Sequence, residues 1–491
     1  MAASKRQLSM RSPKSHPIQY QEVGLNRFGD LGIHTDLRRS FDAWPVRHKF
    51  GSRLRENVPH KSHGKWTPAK DRPSPLDLLK QSNRGRQAEF IPLRMGRMAA
   101  SPFAFLRGAA SVMAFDLSRT PICGIPVVMC GDAHVNNFGF YGSPQRDLLF
   151  DLNDFDATMI GPWEYDLKRL AASVNVAGRE NGLNARERRT AVIRCVEGYR
   201  NNLFQLQSMG ILDVWYRHAY PGRKNPLLKF DAKTAAIVEK AVAKASGKTN
   251  HALLQKVGQR DVTGSWTLHE DPPILTHIPD KLRDQIYEGL NAYADTLNPE
   301  RRYLLGRYHV VDVGHRVVGV GSVGTRAYLA LLLGNDDLDP LFLQVKEATA
   351  PAHSPYLPRF MDDFRHDGKR IVIGQRALQA SSDIFLGWTT IQGRHYFVRQ
   401  MKNMKGGIPI EWLSGTSFNF YAFACGAILA RAHARTSEAA VLAGYCGDTH
   451  ALDEALADWA EAYGNQTEAD HALLVKGIKA GTIKAQSDGP E

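Results

Sequence analysis

Cysteine is scarce in this chain: Cys123, Cys130, Cys195, Cys425 and Cys446 are the only five among 491 residues, with no CxxC pair and no regular spacing. Without such spacing neither a disulfide framework nor a cysteine-based zinc site is expected. Reduced, buried thiols in a cytoplasmic protein are the expectation. No apolar run approaches the ~18 residues that cross a bilayer, so no membrane partner is expected. No internal repeat marks a solenoid or a propeller. The start, MAASKRQLSMRSPKSHP, lacks the apolar stretch of a secretory signal. It is Arg/Ser-rich and acid-poor, which leaves a transit peptide as the alternative.

Hydrophobic residues make up 43% and charged residues 23%, the balance of a soluble globular protein rather than a disordered or fibrous one. At ~100–200 residues per domain, the length suggests two or three packing units. The net charge of +13 is unevenly placed. Residues 1–80 hold 16 Lys/Arg against 7 Asp/Glu, leaving only +4 for the rest. The basicity therefore reads as a property of an N-terminal arm that meets solvent or an anionic partner. A nucleic-acid groove spread over the fold is not expected.

Residues 1–85 are rich in Pro, Ser, His and basic residues and read as a partly irregular arm. Residues 86–307 form a helical half that also carries two short β-rich runs, GIPVVMCGD and RDLLFDLNDFD. A helix follows them, because Leu167, Leu170, Ala171 and Val174 recur at i, i+3, i+4 and i+7. The stretch 176–310 looks mainly helical. Residues 308–410 read as a small β-rich lobe, with a glycine turn after HVVDVGHRVV and a hairpin turning at Gln392-Gly393. Residues 411–491 return to helices, with Phe418, Tyr421, Ala422, Cys425, Ile428, Leu429 and Ala432 on one face.

The sharpest motif is Gly131-Asp132-Ala-His134-Val-Asn-Asn137, directly after an apolar strand. An Asp and an Asn five residues apart on one loop suit phosphoryl transfer. Asp132 can orient an attacking hydroxyl and accept its proton, and the Asn137 amide oxygen can ligate Mg²⁺. Asp154, in DLNDFD, supplies the second metal-holding group, with Asp151 and Asp156 beside it able to share the task. His134 reads as a hydrogen-bond partner that orients the loop rather than as a metal ligand. Asp166, near the start of the following helix, reads as a brace for the loop or as an acid favoured by the helix dipole. Gly319, Gly321, Ser322 and Gly324 form a glycine hairpin suited to lie over ATP phosphates, and Lys346 on the next strand can neutralise them. Arg94, Arg97 and Arg107 are candidates for meeting a substrate anion. His433 and Arg435 read as capping or ion-pairing residues at a helix end.

These residues resemble the kinase-like fold of aminoglycoside phosphotransferases and choline kinases. The likeness rests on GDxHxxN at Gly131–Asn137, the strand Asp154, and Gly161-Pro162 with Asp166-Leu167, about forty residues in all. Across about residues 90–436 the chain also resembles a bacterial family, domain of unknown function 2252, through SPFAFLRG, GDAHVNNFG, DLNDFD, GSVGTR, LQVKEA, FLGW and ARAHAR. The resemblance implies an α+β, two-lobe fold and an ATP- and Mg²⁺-dependent phosphotransferase acting on a small-molecule hydroxyl. In ordinary kinase-like proteins the glycine strands and the lysine precede the catalytic loop, whereas here they follow it. A circular permutation is therefore expected, with the β-lobe inserted after the catalytic half. The acid that usually pairs the lysine is not obvious. Glu347 would point to the opposite face of its strand, and Asp362, Asp363 and Gln375 are the other candidates. A nucleotide-binding pseudokinase that acts as an interaction module is the second reading. A binuclear metallophosphoesterase opened by Asp132-x-His134 is the third, although no downstream Gly-Asn-His run supplies its further ligands.

Overall fold

Residues 42–221, 231–317, 319, 321–357, 365–401 and 403–486 are described by a computed structural model. They form a mixed α+β fold. Strands β1 (Pro126–Met129), β2 (Phe138–Gly142), β3 (Leu148–Leu152) and β4 (Met159–Pro162) come first, with β1 paired to β4 and β2 to β3. A small hairpin follows, β5 (Gly258–Arg260) and β6 (Trp266–Leu268). The main sheet holds β7 (Leu275–Thr276), β8 (His309–Arg316), β9 (Ala327–Leu333), β10 (Pro340–Glu347), β11 (Gly387–Ile391) and β12 (Arg394–Gln400). Its spatial order is β11-β12-β10-β9-β8-β7, antiparallel throughout.

The apolar run of β9 explains how this sheet is covered. Tyr328, Ala330 and Leu332 pack with Ile286, Leu290 and Tyr293 of the Asp280–Ala294 helix. Leu329, Leu331 and Leu333 pack with Leu253, Leu254 and Val257 of the Asn250–Val257 helix. Alternation sends neighbouring side chains to opposite faces, so a strand buried on both sides needs apolar residues at every position. Both covering helices come from the stretch read as part of the helical half. Here they serve the sheet.

The body is built on the helices Trp163–Glu180, Ala185–Leu206, Gly415–Ala434 and Ala451–Lys479. The first is buried on all sides from Trp163 to Gly178 rather than along one stripe, because neighbours surround it. The second and third cross through a glycine contact. A Cβ on Gly198 would strike the Phe423 carbonyl, and one on Gly426 the Cys195 carbonyl. Gly426→Ala should therefore force the two backbones apart and lower stability by about 1–3 kcal/mol, read from the shift in a denaturant midpoint. An unchanged midpoint would show that the crossing has slack.

The part of the N-terminal arm that is described is not an irregular appendage. Trp44–Asn57, His60–Gly64 and Pro75–Ser82 are helices. Arg72 pairs with Asp116 at 2.8 Å and with Asp470 at 2.6 Å, all three side chains being buried. Trp66 packs edge-on against Trp459 and Tyr463. Few apolar residues mark this segment because charge pairs and aromatic edges hold it. Residues 1–41 lie outside the described residues.

Candidate functional site

The catalytic-type loop is set by β1 and by a glycine. Gly131 follows the strand at φ +79°, and a Cβ there would run into the Ala157 carbonyl, so only glycine allows this turn. The Asp166 carboxylate accepts the N–H groups of Cys130 at 2.6 Å and Gly131 at 2.9 Å. His433 Nε2 lies 3.2 Å from the same carboxylate, and Tyr199 hydroxyl meets His433 Nδ1 at 2.9 Å. His433 thus hydrogen-bonds the Asp166 carboxylate from its helix end. Arg435 instead caps the Ala377 carbonyl and lies over Trp215.

Asp132 faces Arg169, whose guanidinium bonds its carboxylate. Asp166 and Arg169 are three residues apart and share one side of their helix. One holds the loop's backbone and the other its acid. Burial raises the Asp132 carboxyl above its ordinary value even though Arg169 pulls it down. Asn137 donates its amide to the Asp132 carbonyl at 2.5 Å, which leaves Oδ1 without a protein partner among the described residues. The neighbouring loop is laced to this one. Asn153 N–H bonds the Asn137 carbonyl at 2.8 Å, and the Cys130 thiol bonds the Asp154 carbonyl at 3.2 Å. Lys346, Arg399 and Lys405 outweigh the effect of burial on Asp154 and hold its carboxyl below the usual range.

Lys346 reaches this site from the sheet and pairs with Asp156. Asp156 is therefore the lysine's partner. None of the described acids proposed for that role takes it. Glu347 points away and bonds Arg326 at 3.2 Å and Arg394 at 3.0 Å, and Gln375 bonds Gln379. Asp362 and Asp363 lie outside the described residues. His134 also differs from expectation. Its backbone closes the loop, N–H to the Asp132 carbonyl and C=O to the Asn137 N–H. Its imidazole, however, stands 3.9 Å from Asp132, and Nδ1 is buried without a partner. Burial pushes the ring's pKa well down, so the neutral ring acts as a wall of the site.

Between β8 and β9, residues 321–324 of the glycine segment form a turn. Ser322 N–H bonds the Gly319 carbonyl at 3.2 Å, and the Ser322 carbonyl accepts from Thr325. The sequence alone missed its fastening. Arg86 donates to the carbonyls of Val323 at 2.5 Å and Gly321 at 3.0 Å, and Gln87 N–H bonds the Gly324 carbonyl at 2.8 Å.

Between sheet and body lies a cleft of about 700 Å³. Asn137, Asp154 and Gly319 line it together with Gln344, Arg399 and Lys405. Arg399 Nε donates to Gln344 Oε1 at 3.1 Å across paired strands. Burial, reinforced by Arg399, lowers the Lys405 ammonium to about 7. Of the three anion-binding candidates, Arg107 alone lines the cleft, with its Nε buried and unpartnered. Arg94 is spent on Asn83 and the Gly108 carbonyl.

Asn137 Oδ1 and the Asp154 carboxylate are hard oxygen donors lining one cleft. Such a pair fits Mg²⁺, which keeps several waters and takes few protein ligands. Among the described residues no group of three or more His, Cys, Asp or Glu side chains is placed to hold a metal. No helix among them is long and apolar enough to cross a membrane. No curated protein and no solved structure gives a significant match to this chain. Residues 86–477 match the family described as "Uncharacterized protein conserved in bacteria (DUF2252)", and the chain belongs to that family.

Proposed function

We propose that this protein is an ATP- and Mg²⁺-dependent phosphotransferase with a kinase-like, circularly permuted arrangement, acting on a hydroxyl of a small molecule. One observation carries the reading: Asn137, Asp154 and the glycine turn line a single cleft, with Asp132 held beside it and the Lys346–Asp156 pair bridging sheet and body. The permutation is supported where the Gly415–Ala434 helix ends. Thr436 Oγ1 accepts the Val128 N–H at 3.2 Å, so the helix exit abuts the strand that leads into the catalytic-type loop, 308 residues away in sequence.

Asp132 would take the proton of the acceptor hydroxyl as its oxygen bonds to the γ-phosphorus and the bond to departing ADP breaks. Lys346, Arg107 and the glycine turn would hold and neutralise the phosphates, so catalysis is mainly positioning and charge stabilisation. Magnesium held by Asn137 and Asp154 would supply further neutralisation of the phosphate oxygens. The second reading, a nucleotide-binding pseudokinase, draws on the Arg169–Asp132 pair, which opposes proton uptake by that acid.

The test is a thermal shift with ATP and Mg²⁺ on wild type and Lys346→Ala. Ligand at about a hundred times its dissociation constant adds about 2.7 kcal/mol, several degrees in Tm. The expected result is a magnesium-dependent shift that Lys346→Ala abolishes. No shift at millimolar ATP overturns the nucleotide reading.

A further inference from the structure

The cleft holds more positive charge than a nucleotide uses. Arg107, Lys244, Lys248, Arg316, Arg399 and Lys405 line it, and Asp154 is the only carboxylate among its lining residues. None of the six cations forms an ion pair with a carboxylate among the described residues. The other charges at the site cancel in pairs, Lys346 with Asp156 and Arg169 with Asp132. Lys405, lowered to about 7, carries only part of a charge at neutral pH. A nucleoside triphosphate with its magnesium brings roughly two net negative charges, which leaves about two or three of the six cations unmatched.

These cations are also placed as though awaiting a partner. Arg107 Nε and Arg316 Nη1 are buried with no hydrogen-bond acceptor among the described residues, a state that an incoming anion would relieve. Lys405 sits with Arg399 as a like-charged neighbour, and Lys248 with Lys244. Gln344 and Arg399 cross the cleft wall where most small-molecule pockets are apolar.

We infer that the phosphoryl acceptor is itself polyanionic: a small hydroxylated molecule that already carries phosphate groups, held by the cations that the nucleotide leaves unmatched, Lys244 and Lys248 among them. This rests on the phosphotransferase reading and departs from the likeness that suggested it. Aminoglycosides and choline are cations, and an uncompensated basic cleft repels them.

The experiment uses the full chain with inorganic tripolyphosphate as probe, added after saturation with a non-hydrolysable ATP analogue and with magnesium in excess of both. A further rise in Tm is expected, shrinking as salt increases. Lys244→Gln/Lys248→Gln should weaken tripolyphosphate binding about tenfold while leaving the analogue's shift unchanged. If the analogue shifts Tm and tripolyphosphate adds nothing, the anionic acceptor is overturned and the nucleotide reading stands. If tripolyphosphate binds and the analogue does not, the nucleotide reading falls while the cationic site remains. Full tripolyphosphate affinity in the double variant places the anion elsewhere and overturns the inference.

Discussion

Asp132→Asn should cut phosphoryl transfer by about 10²–10⁴-fold, the usual worth of a positioned general base, while the thermal shift given by Mg·ATP stays as in wild type. Asparagine is the informative replacement because of Arg169. The Arg169 side chain is 2% exposed and bonds the Asp132 carboxylate. Truncation to alanine would strand that guanidinium, at about 3–5 kcal/mol for breaking a buried pair. Lost activity could then reflect a displaced loop. Asparagine keeps the size and an acceptor oxygen for Arg169, so the guanidinium retains a hydrogen bond although it loses its counter-charge, and the ability to take a proton is gone. The Asn137 bond runs to the Asp132 backbone carbonyl, so the amide proposed to hold magnesium keeps its anchor. Undiminished transfer by the variant would remove Asp132 from the role of base. ATP binding by wild type with no transfer to any phosphorylated acceptor would favour the pseudokinase reading.

The parts of this site that are legible in the sequence are those encoded over short spans. GDAHVNN follows one apolar strand, DLNDFD ends another, and a glycine turn separates two strands before Lys346. Each is fixed by local turn chemistry beside a short apolar run, and the structure puts each in a loop or turn at the end of a strand. The Gln392-Gly393 hairpin turn is equally local, with both residues at positive φ.

What the sequence hides is pairing across distance. Lys346 and Asp156 are 190 residues apart, and no pattern around either names the other. A search near the lysine yields Glu347, whose strand position turns it to the opposite face. Arg169 was visible in DLKR, three residues after Asp166, but only the folded loop shows that its charge is spent on Asp132. The cationic cleft is hidden for a different reason. Residues 81–491 total only +4, yet chain segments around 107, 244, 316 and 399–405 bring six cations to one cavity. A net charge averages over the surface, whereas a cleft focuses what lines it. The N-terminal segment shows the same limit, because Arg72 is held by acids 44 and 398 residues away.

The largest stability effect is expected from Asp166→Ala. Asp166 is 1% exposed, and its carboxylate serves two backbone N–H groups and His433 at once. Alanine would leave the Cys130 and Gly131 N–H groups buried and unpaired, at about 1–3 kcal/mol each, and would also break the contact with His433. Water cannot readily replace the carboxylate, since Cys130, Gly131 and His433 are all buried. The expected loss is about 3–5 kcal/mol, read from the denaturant midpoint. Asp166→Asn should fall between: its carbonyl can accept one N–H, but its amide presents a donor to the other. The brace joins the loop to the Gly415–Ala434 helix through His433, so His433→Ala should destabilise less than Asp166→Ala, and the double variant should cost less than the two singles added. Additive losses would mean that His433 and Asp166 stabilise the loop independently. An Asp166→Ala protein as stable as wild type would show that the turn at Gly131 holds without it.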